Sequence, residues 1–131
     1  MLRKLLLALP LFTLLTGCEA LLAGNMITSC LLRSEPELLP ESLPDGRVGV
    51  AYAQSIRIIN ADTPAHGFYV SDATPLPEGL RMQHQDREAQ GLIVGVPTQA
   101  GTYSIRITAR TYGTQCTGQH AERRYSLHIT E

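Results

Sequence analysis

Cysteine, histidine and acidic residues are the side chains of this sequence that could do chemistry. Cys116 and His120 are separated by three residues, and Cys30 could add a third ligand from elsewhere in the chain. A structural zinc site takes four such ligands, and the sequence offers no fourth. A second cluster, at residues 84–88 (HQDRE), could chelate a metal weakly or could be the polar loop of a hairpin. We favour the loop and predict neither a metal site nor a cofactor.

Catalytic motifs are also absent from the sequence. A hydrolase needs a nucleophile, a base and a group that orients the base, and the chain has no Gly-x-Ser-x-Gly motif. Nothing singles out a facing pair of acids for glycoside cleavage. The glycines within residues 91–101 lack the spacing of a phosphate-binding loop, and no helix is predicted to follow them. We therefore predict that the protein is not an enzyme.

The first residues, MLRKLLLALPLFTLLTGC, have the layout of an export signal. The basic pair Arg3 and Lys4 precedes an apolar run over residues 5–15. This run is too short to cross roughly 30 Å of hydrocarbon as a helix, but it fits a secretory signal. The tetrapeptide LTGC, which ends at Cys18, resembles the lipobox of bacterial lipoproteins. The resemblance implies that residues 1–17 are removed and that Cys18 carries the lipid.

The residue after the lipid-bearing cysteine bears on the location of the protein. In Gram-negative lipoproteins an aspartate at this position favours retention in the inner membrane, whereas this chain has Glu19. By that resemblance we expect a lipid anchor in the outer membrane, with the protein facing the periplasm or the cell surface. The membrane is then a partner through the anchor alone.

An exported chain meets an oxidising compartment, which changes the interpretation of its three cysteines. If Cys18 is lipidated, Cys30 and Cys116 remain and can pair. The bridge would close a loop of about 86 residues and contribute about 4 kcal/mol on the chain-entropy model. We predict this disulfide and keep the metal site on the same cysteines as the alternative.

The charge balance excludes one class of partner. The chain has 11 basic and 12 acidic residues, which give a formal net charge of −1. Beyond the predicted signal peptide, the densest basic cluster is the pair Arg123 and Arg124, whereas domains that bind nucleic acid carry a basic face. We expect no nucleic-acid partner.

From residue 41 onward, apolar and polar residues alternate in the manner of half-buried strands. The pattern is clearest in residues 102–110 (TYSIRITAR) and 125–130 (YSLHIT), and turns rich in proline and glycine separate such segments. Short strands at about ten-residue spacing predict an all-β sandwich of about seven strands. We assign residues 1–17 to the signal peptide, 18–40 to the lipidated N-terminus and tether, and 41–131 to the sandwich domain.

Four sequence blocks, in this order, carry a family resemblance. They are LPDGRVGVAYAQSIRI, LPEGLRM, GLIVGVPTQAGTYSIRITA and RYSLHI. The blocks resemble the bacterial putative immunoglobulin-like domains, which are grouped with cadherin-like and dystroglycan-type β-sandwiches. The resemblance covers about residues 43–130 and implies a single Ig-like or cadherin-like sandwich. It implies no activity, because sandwiches host many functions.

The sequence departs from cadherins at the positions that would bind calcium. Cadherins hold calcium between successive domains through several carboxylates, whereas this chain has one domain and its acids are scattered. We expect no calcium site. A cadherin-like calcium-binding adhesion module is therefore the least favoured of the functions considered.

The polar loops are the expected location of function, because loops vary without disturbing a core. We expect loops at residues 60–67, 83–90 and 111–122. The candidate partner-binding residues on or beside them are His66, His84, Asp86, Tyr112, Gln119, His120 and Arg123. We predict a lipid-anchored envelope lipoprotein whose Ig-like domain is a non-catalytic protein-binding or structural module with an unidentified envelope protein partner. The alternative is a small envelope inhibitor or ligand carrier acting through disulfide-stiffened loops.

Overall fold

The computed structural model describes residues 24–25 and 27–131. The predicted signal peptide and the predicted lipid site at Cys18 lie outside these residues. The chain divides into two compact units, Met1–Arg33 and Ser34–Glu131. In the first unit, the described residues from 24 to 31 are helical. No helix in the described part of the chain has the length and apolar character needed to cross a membrane.

The second unit is built from eight strands in two sheets. The strands are β1 (Glu37–Leu39), β2 (Gly46–Arg47), β3 (Tyr52–Ile59), β4 (Ala65–Val70), β5 (Leu80–His84), β6 (Gln90–Gly95), β7 (Gly101–Thr111) and β8 (His120–Thr130). Sheet 1 has the order β1-β3-β6-β5, and sheet 2 has the order β2-β8-β7-β4. Neighbouring strands are antiparallel, except that β2 and β8 are parallel. The predicted all-β sandwich is confirmed, and the short β1 and β2 bring its strands to eight.

The core lies between the sheets, and the alternation of the sequence determines which residues enter it. Strands β7 and β8 pair over their whole common length, so that Ile105 faces Tyr125 and Ile107 faces Arg123. The isoleucines of this stretch have no exposed surface. Burial of one such side chain stabilises the fold by about 1.5–3 kcal/mol. The long β7–β8 hairpin therefore forms much of the inner surface of sheet 2.

The first strand lies in the segment that the sequence analysis assigned to the tether. Leu38 is only 1% exposed and pairs with Ile58 of β3. The ordered sandwich thus begins ahead of residue 41. A three-residue strand is too short to show a period, so the alternation of the sequence could not reveal it. After β1 the chain crosses to sheet 2, where Gly46 pairs with Ile129 of β8.

The predicted loops are shorter than expected. Gln83 and His84 belong to β5 and Gln90 belongs to β6, which leaves residues 85–89 as the turn. His66 lies in β4, and the predicted loop at 111–122 shrinks to residues 112–119. At β5 the difference arises because this edge strand buries only Leu80 and carries polar residues at three of its five positions, which gives little apolar alternation.

Two glycines shape the end of the β5–β6 hairpin. Gly79 has φ of +92° and Gly95 has φ of +138°, in the left-handed region that favours glycine. A Cβ atom at Gly95 would collide with the carbonyl oxygen of Gly79, and one at Gly79 would collide with that of Val96. The amide of Val96 donates to the Gly79 carbonyl at 3.1 Å. The absence of side chains at these two glycines lets the backbone segments at residues 79 and 95–96 lie close together, so the glycines have a structural role in the fold.

Candidate functional site

Several predicted site residues meet at one end of the sandwich. The start of β4, the β5–β6 turn and the end of β7 converge there. Backbone hydrogen bonds join them, since the amide of Arg87 donates to the carbonyl of Ala65 and the amide of Tyr112 to that of Pro64, both at 3.0 Å. The turn and the strand ends therefore hold their side chains in fixed relative positions.

A β-bulge sets the position of His66. The register of β4 against β7 shifts between Ala65 and Gly67, and the extra residue turns the imidazole outward. Gly67 has no side chain, and a Cβ atom there would collide with the ring of Tyr69. The Tyr69 hydroxyl accordingly reaches back to Nδ1 of His66 at 3.1 Å.

Tyr112 joins this group from the end of β7. Its ring centroid lies 5.4 Å from that of His66, edge to face. Its hydroxyl donates a hydrogen bond of 2.6 Å to Oδ1 of Asp86. This hydrogen bond is the main cause that raises the pKa of Tyr112, because the neutral phenol is the form that donates. The contact also gives Oδ1 of Asp86 a hydrogen-bond donor.

Two arginines that the sequence analysis did not select complete the group. The guanidinium carbon of Arg87 lies 5.4 Å from the ring centroid of Tyr112, and that of Arg110 lies 5.7 Å from the ring centroid of Tyr69. Both distances are within the range of cation–π contact. Within residues 24–25 and 27–131, no ion pair joins either arginine to a carboxylate, whereas Arg106 pairs with Glu122.

We call this group the Tyr–Arg surface. Its members are His66, Tyr69, Arg87, Arg110 and Tyr112. Tyr69 and Tyr112 are 47% and 37% exposed. The alternation of β7 places Arg110 on the outward face, so the sequence could have identified this arginine as a surface residue. The position of Arg87 instead depends on a turn conformation with φ of +71°, which the sequence pattern does not reveal.

Gln119 and His120 lie beside the Tyr–Arg surface and differ in their contacts. Both polar atoms of the Gln119 side chain are hydrogen-bonded within the domain. Its amide nitrogen donates to the carbonyl of Ser34 at 2.7 Å, and its oxygen accepts from the amide of Asp62 at 3.0 Å. His120 is the first residue of β8, is exposed, and lies opposite Arg110 in the sheet.

His84 and Arg123 are not brought into the group. The imidazole of His84 contacts the carbonyl of Glu88 at 2.9 Å, and its ring lies 5.0 Å from that of Phe68. Arg123 is half-buried and lies opposite Ile107 on the inward side of sheet 2, away from the outward-facing Arg110.

The predicted disulfide between Cys30 and Cys116 is confirmed, since both cysteines are disulfide-bonded in the structure. Their thiols are therefore not available as the metal ligands of the alternative interpretation. In the part of the chain that the structure describes, no three histidine, cysteine or acidic residues lie close enough together to hold a metal ion.

A family model matches residues 35–130, which include all eight strands and the Tyr–Arg surface. The chain belongs to the family named Putative Ig domain (He_PIG). No curated protein sequence matches this He_PIG chain. The family assignment agrees with the two-sheet Ig-like fold.

Solved structures show the same fold at low sequence identity. The sialic acid binding region of an adhesin from Streptococcus sanguinis SK1, bound to 3'sLn, aligns with a TM-score of 0.53 and 9% identity, over 76% of the He_PIG chain. A variant of the SrpA adhesin from Streptococcus sanguinis aligns with a TM-score of 0.50 and 7% identity, over 74% of the chain. The alignments cover only 30% and 56% of those two adhesin chains.

An endo-fucoidan hydrolase of glycoside hydrolase family 107 aligns more weakly, with a TM-score of 0.46 and 17% identity, over 77% of this chain and 14% of its own. That likeness supports no functional argument.

Proposed function

We propose that this protein is a bacterial envelope lipoprotein, anchored through Cys18 in the outer membrane, whose Ig-like domain is a non-catalytic module that binds a partner protein. The N-terminal resemblance to a lipobox supports the anchor. The Ig-like fold, which also occurs in the two adhesin structures, supports the binding role.

The Tyr–Arg surface is the observation that carries the binding proposal. Tyrosine and arginine are enriched among the residues that dominate the energy of protein interfaces. Tyr69 and Tyr112 are already positioned by the contacts of their hydroxyl groups with His66 and Asp86. Side chains that are ordered before binding lose less entropy when a partner docks.

Two hydroxyl groups lie within hydrogen-bond distance of a histidine ring, and the surroundings of both pairs support a non-catalytic role. Thr102 Oγ1 lies 3.0 Å from Nδ1 of His128, on an exposed face of sheet 2. In the described part of the chain, no carboxylate contacts this imidazole, so the third member that orients a catalytic base is missing. The Tyr69–His66 contact is likewise a hydroxyl–imidazole pair without an acid on the imidazole.

A small envelope inhibitor or ligand carrier is the second candidate. The disulfide at Cys116 supports it, because this bond restrains the 112–119 loop beside the Tyr–Arg surface. An inhibitor acts when the purified protein is added to an envelope hydrolase. A binding module instead recovers a stable partner from whole cells.

Photo-crosslinking in living cells tests the binding proposal. The amino acid p-benzoylphenylalanine replaces Tyr69 or Tyr112 in the full-length chain, and Leu92 serves as control. Leu92 is 38% exposed and lies in sheet 1, so it offers a similar exposure away from the Tyr–Arg surface. We expect one discrete protein adduct at positions 69 and 112 and none at position 92. Equal labelling at the three positions, or no adduct at all, would overturn the proposal.

The anchor has a separate test. In the variant Cys18→Ala, we expect loss of acyl labelling and release of the protein from the membrane fraction. The matched control is Cys30→Ala, which removes another cysteine and leaves the lipobox intact. Membrane attachment that persists in Cys18→Ala would contradict the anchor.

A further inference from the structure

A polar cavity lies on the outer side of sheet 2, next to the Tyr–Arg surface. Its volume is about 360 Å³. The residues that line it are His66, Arg110, Thr111, Gly118, Gln119 and His120. Three of these six carry basic side chains and none carries a carboxylate. The lining therefore suits an anionic group.

Arg110 is the residue with the strongest capacity to bind an anion here. Its guanidinium lies over the ring of Tyr69, which occupies one planar face and leaves the N–H groups at its edge accessible. The neighbouring carboxylates are engaged elsewhere, since Asp86 accepts from Tyr112, and Glu122 accepts from Thr108 and pairs with Arg106. Among the described residues, no carboxylate pairs with Arg110, although its planar guanidinium is suited to bind one.

The wall of the cavity is fixed before any ligand arrives. The amide of Gln119 donates to Oγ1 of Thr111 at 2.9 Å, and the amide of Thr111 donates to the carbonyl of Gln119 at 2.9 Å. The Gln119 side chain is held at both ends by Ser34 and Asp62. A preformed pocket beside an unpaired guanidinium needs little rearrangement to bind.

We infer that this cavity receives an aspartate or glutamate side chain of the partner protein, with Arg110 binding the carboxylate and with Tyr69 and Tyr112 packing against the flanking residues. The inference rests on the proposed protein-binding function. The exposed rings lie beside the cavity and not inside it, which favours an extended partner surface over a small ligand enclosed on all sides. Arg87 and Arg110 lie at this end of the sandwich without a carboxylate partner among the described residues, and they add electrostatic complementarity to an acidic partner segment.

Nuclear magnetic resonance on the full-length chain in detergent micelles tests the inference. The probes are N-acetyl-glutamate N-methylamide and its glutamine analogue, which differ in charge and hardly in shape. We expect the glutamate probe to shift the Nε–Hε signal of Arg110 and the backbone amide of Gln119, with at least tenfold tighter binding than the glutamine probe. Equal binding of the two probes would overturn the inference.

Two variants distinguish specific binding at the cavity from a general effect of positive charge on the affinity of the probe. Arg110→Gln should weaken binding of the glutamate probe at least tenfold, as read from the Gln119 amide. Arg124→Gln removes the same charge from an exposed position on β8 and should change the affinity less than twofold. Equal losses in the two variants would show a diffuse electrostatic effect and would contradict a site at Arg110.

A third probe tests the other class of carboxylate ligand. N-acetylneuraminic acid methyl glycoside carries its carboxylate on a sugar. Tighter binding of this sugar than of the glutamate probe, with the same loss in Arg110→Gln, would overturn the assignment to a protein side chain. If the crosslinked adduct forms at Tyr69 while the glutamate probe fails to bind, the present inference fails and the proposed function stands. If the glutamate probe binds at Arg110 but no adduct forms at Tyr69 or Tyr112, the carboxylate site stands, and the proposed function fails together with the assignment of a partner protein to this site.

Discussion

Two core tyrosines differ in what their hydroxyl groups contact. The hydroxyl of Tyr52 donates to the carbonyl of Pro44 at 2.9 Å. The hydroxyl of Tyr125 is buried and has no hydrogen-bond partner among the residues that the structure describes. Burial raises the pKa of both side chains to about 12. A buried polar group without a partner loses its hydration and gains nothing in return.

The two tyrosines should therefore respond differently to the loss of the hydroxyl group. Tyr125→Phe removes an unsatisfied group, and we expect the free energy of unfolding to stay unchanged or to rise by up to about 1 kcal/mol. Tyr52→Phe removes a hydrogen bond and should lower it by about 1 kcal/mol. Denaturant unfolding of the two variants measures both values. A loss in Tyr125→Phe as large as that in Tyr52→Phe would show that the Tyr125 hydroxyl has a stabilising contact.

The raised pKa values predict a loss of stability in alkali. Between pH 10 and 12, tyrosines of the unfolded chain lose their protons, whereas Tyr52 and Tyr125 keep theirs in the folded protein. The unfolded state then binds fewer protons, so the free energy of unfolding falls as pH rises through this window. Each pKa unit corresponds to about 1.4 kcal/mol per group.

Denaturant unfolding at pH 9, 10 and 11 tests this dependence. We expect a constant midpoint up to pH 9 and a falling one above pH 10. The Tyr52→Phe and Tyr125→Phe double variant should show a shallower fall. A pH profile of the double variant identical to that of the natural chain would contradict the assignment to these two side chains.

At the scale of the strand, β8 has an open edge. Strand β2 pairs with it at Ile129 and Thr130, and the described residues place no strand beside the rest of that edge. Open edges invite pairing with other chains, and an inward-pointing charge is a known defence. Arg123 occupies such a position, opposite Ile107 on the inward side of the sheet. This explains why the residue does not join the Tyr–Arg surface.

Removal of the charge at Arg123 should therefore promote self-association. In Arg123→Leu we expect larger species than the natural chain forms at the same concentration, measured by size-exclusion chromatography with light scattering. Arg124→Leu makes the same chemical change on the outward side of β8 and should have a smaller effect. Equal association of the two variants would indicate general surface hydrophobicity and not protection of the edge.

The same strands show what could be predicted from the sequence. Long strands such as β7 and β8 follow a clear period, so the inward set from Ile105 to Ala109 was correctly predicted. Arg123 shares the parity of Tyr125, but it was selected as a binding residue because it lies beside the predicted loop at 111–122. Arg87 and Tyr69 meet other residues through a turn and a bulge, which involve long-range packing that no local pattern records. The Tyr–Arg surface was therefore predicted only in part.

At the scale of the whole molecule, the Cys30–Cys116 bond closes a loop of about 86 residues. We expect the double variant Cys30→Ser, Cys116→Ser to lose up to about 4 kcal/mol of unfolding free energy, because its unfolded chain is freer. Denaturant unfolding measures the change, and circular dichroism confirms that the variant is folded. Arg124→Gln, a surface change away from the bond, is the control. An unchanged unfolding midpoint in the double variant would show that the sandwich needs no crosslink.

The same bond determines the path that a mechanical load would take. If the chain is held at Cys18 and pulled by a partner at Tyr112, tension runs along the tether to Cys30, across the disulfide to Cys116 and back through the loop to Tyr112. Strands β1 to β7 lie in the closed loop between the two cysteines and outside this path. Their hydrogen bonds would carry none of the pulling force, so the sandwich would stay folded under a load that strains only covalent bonds.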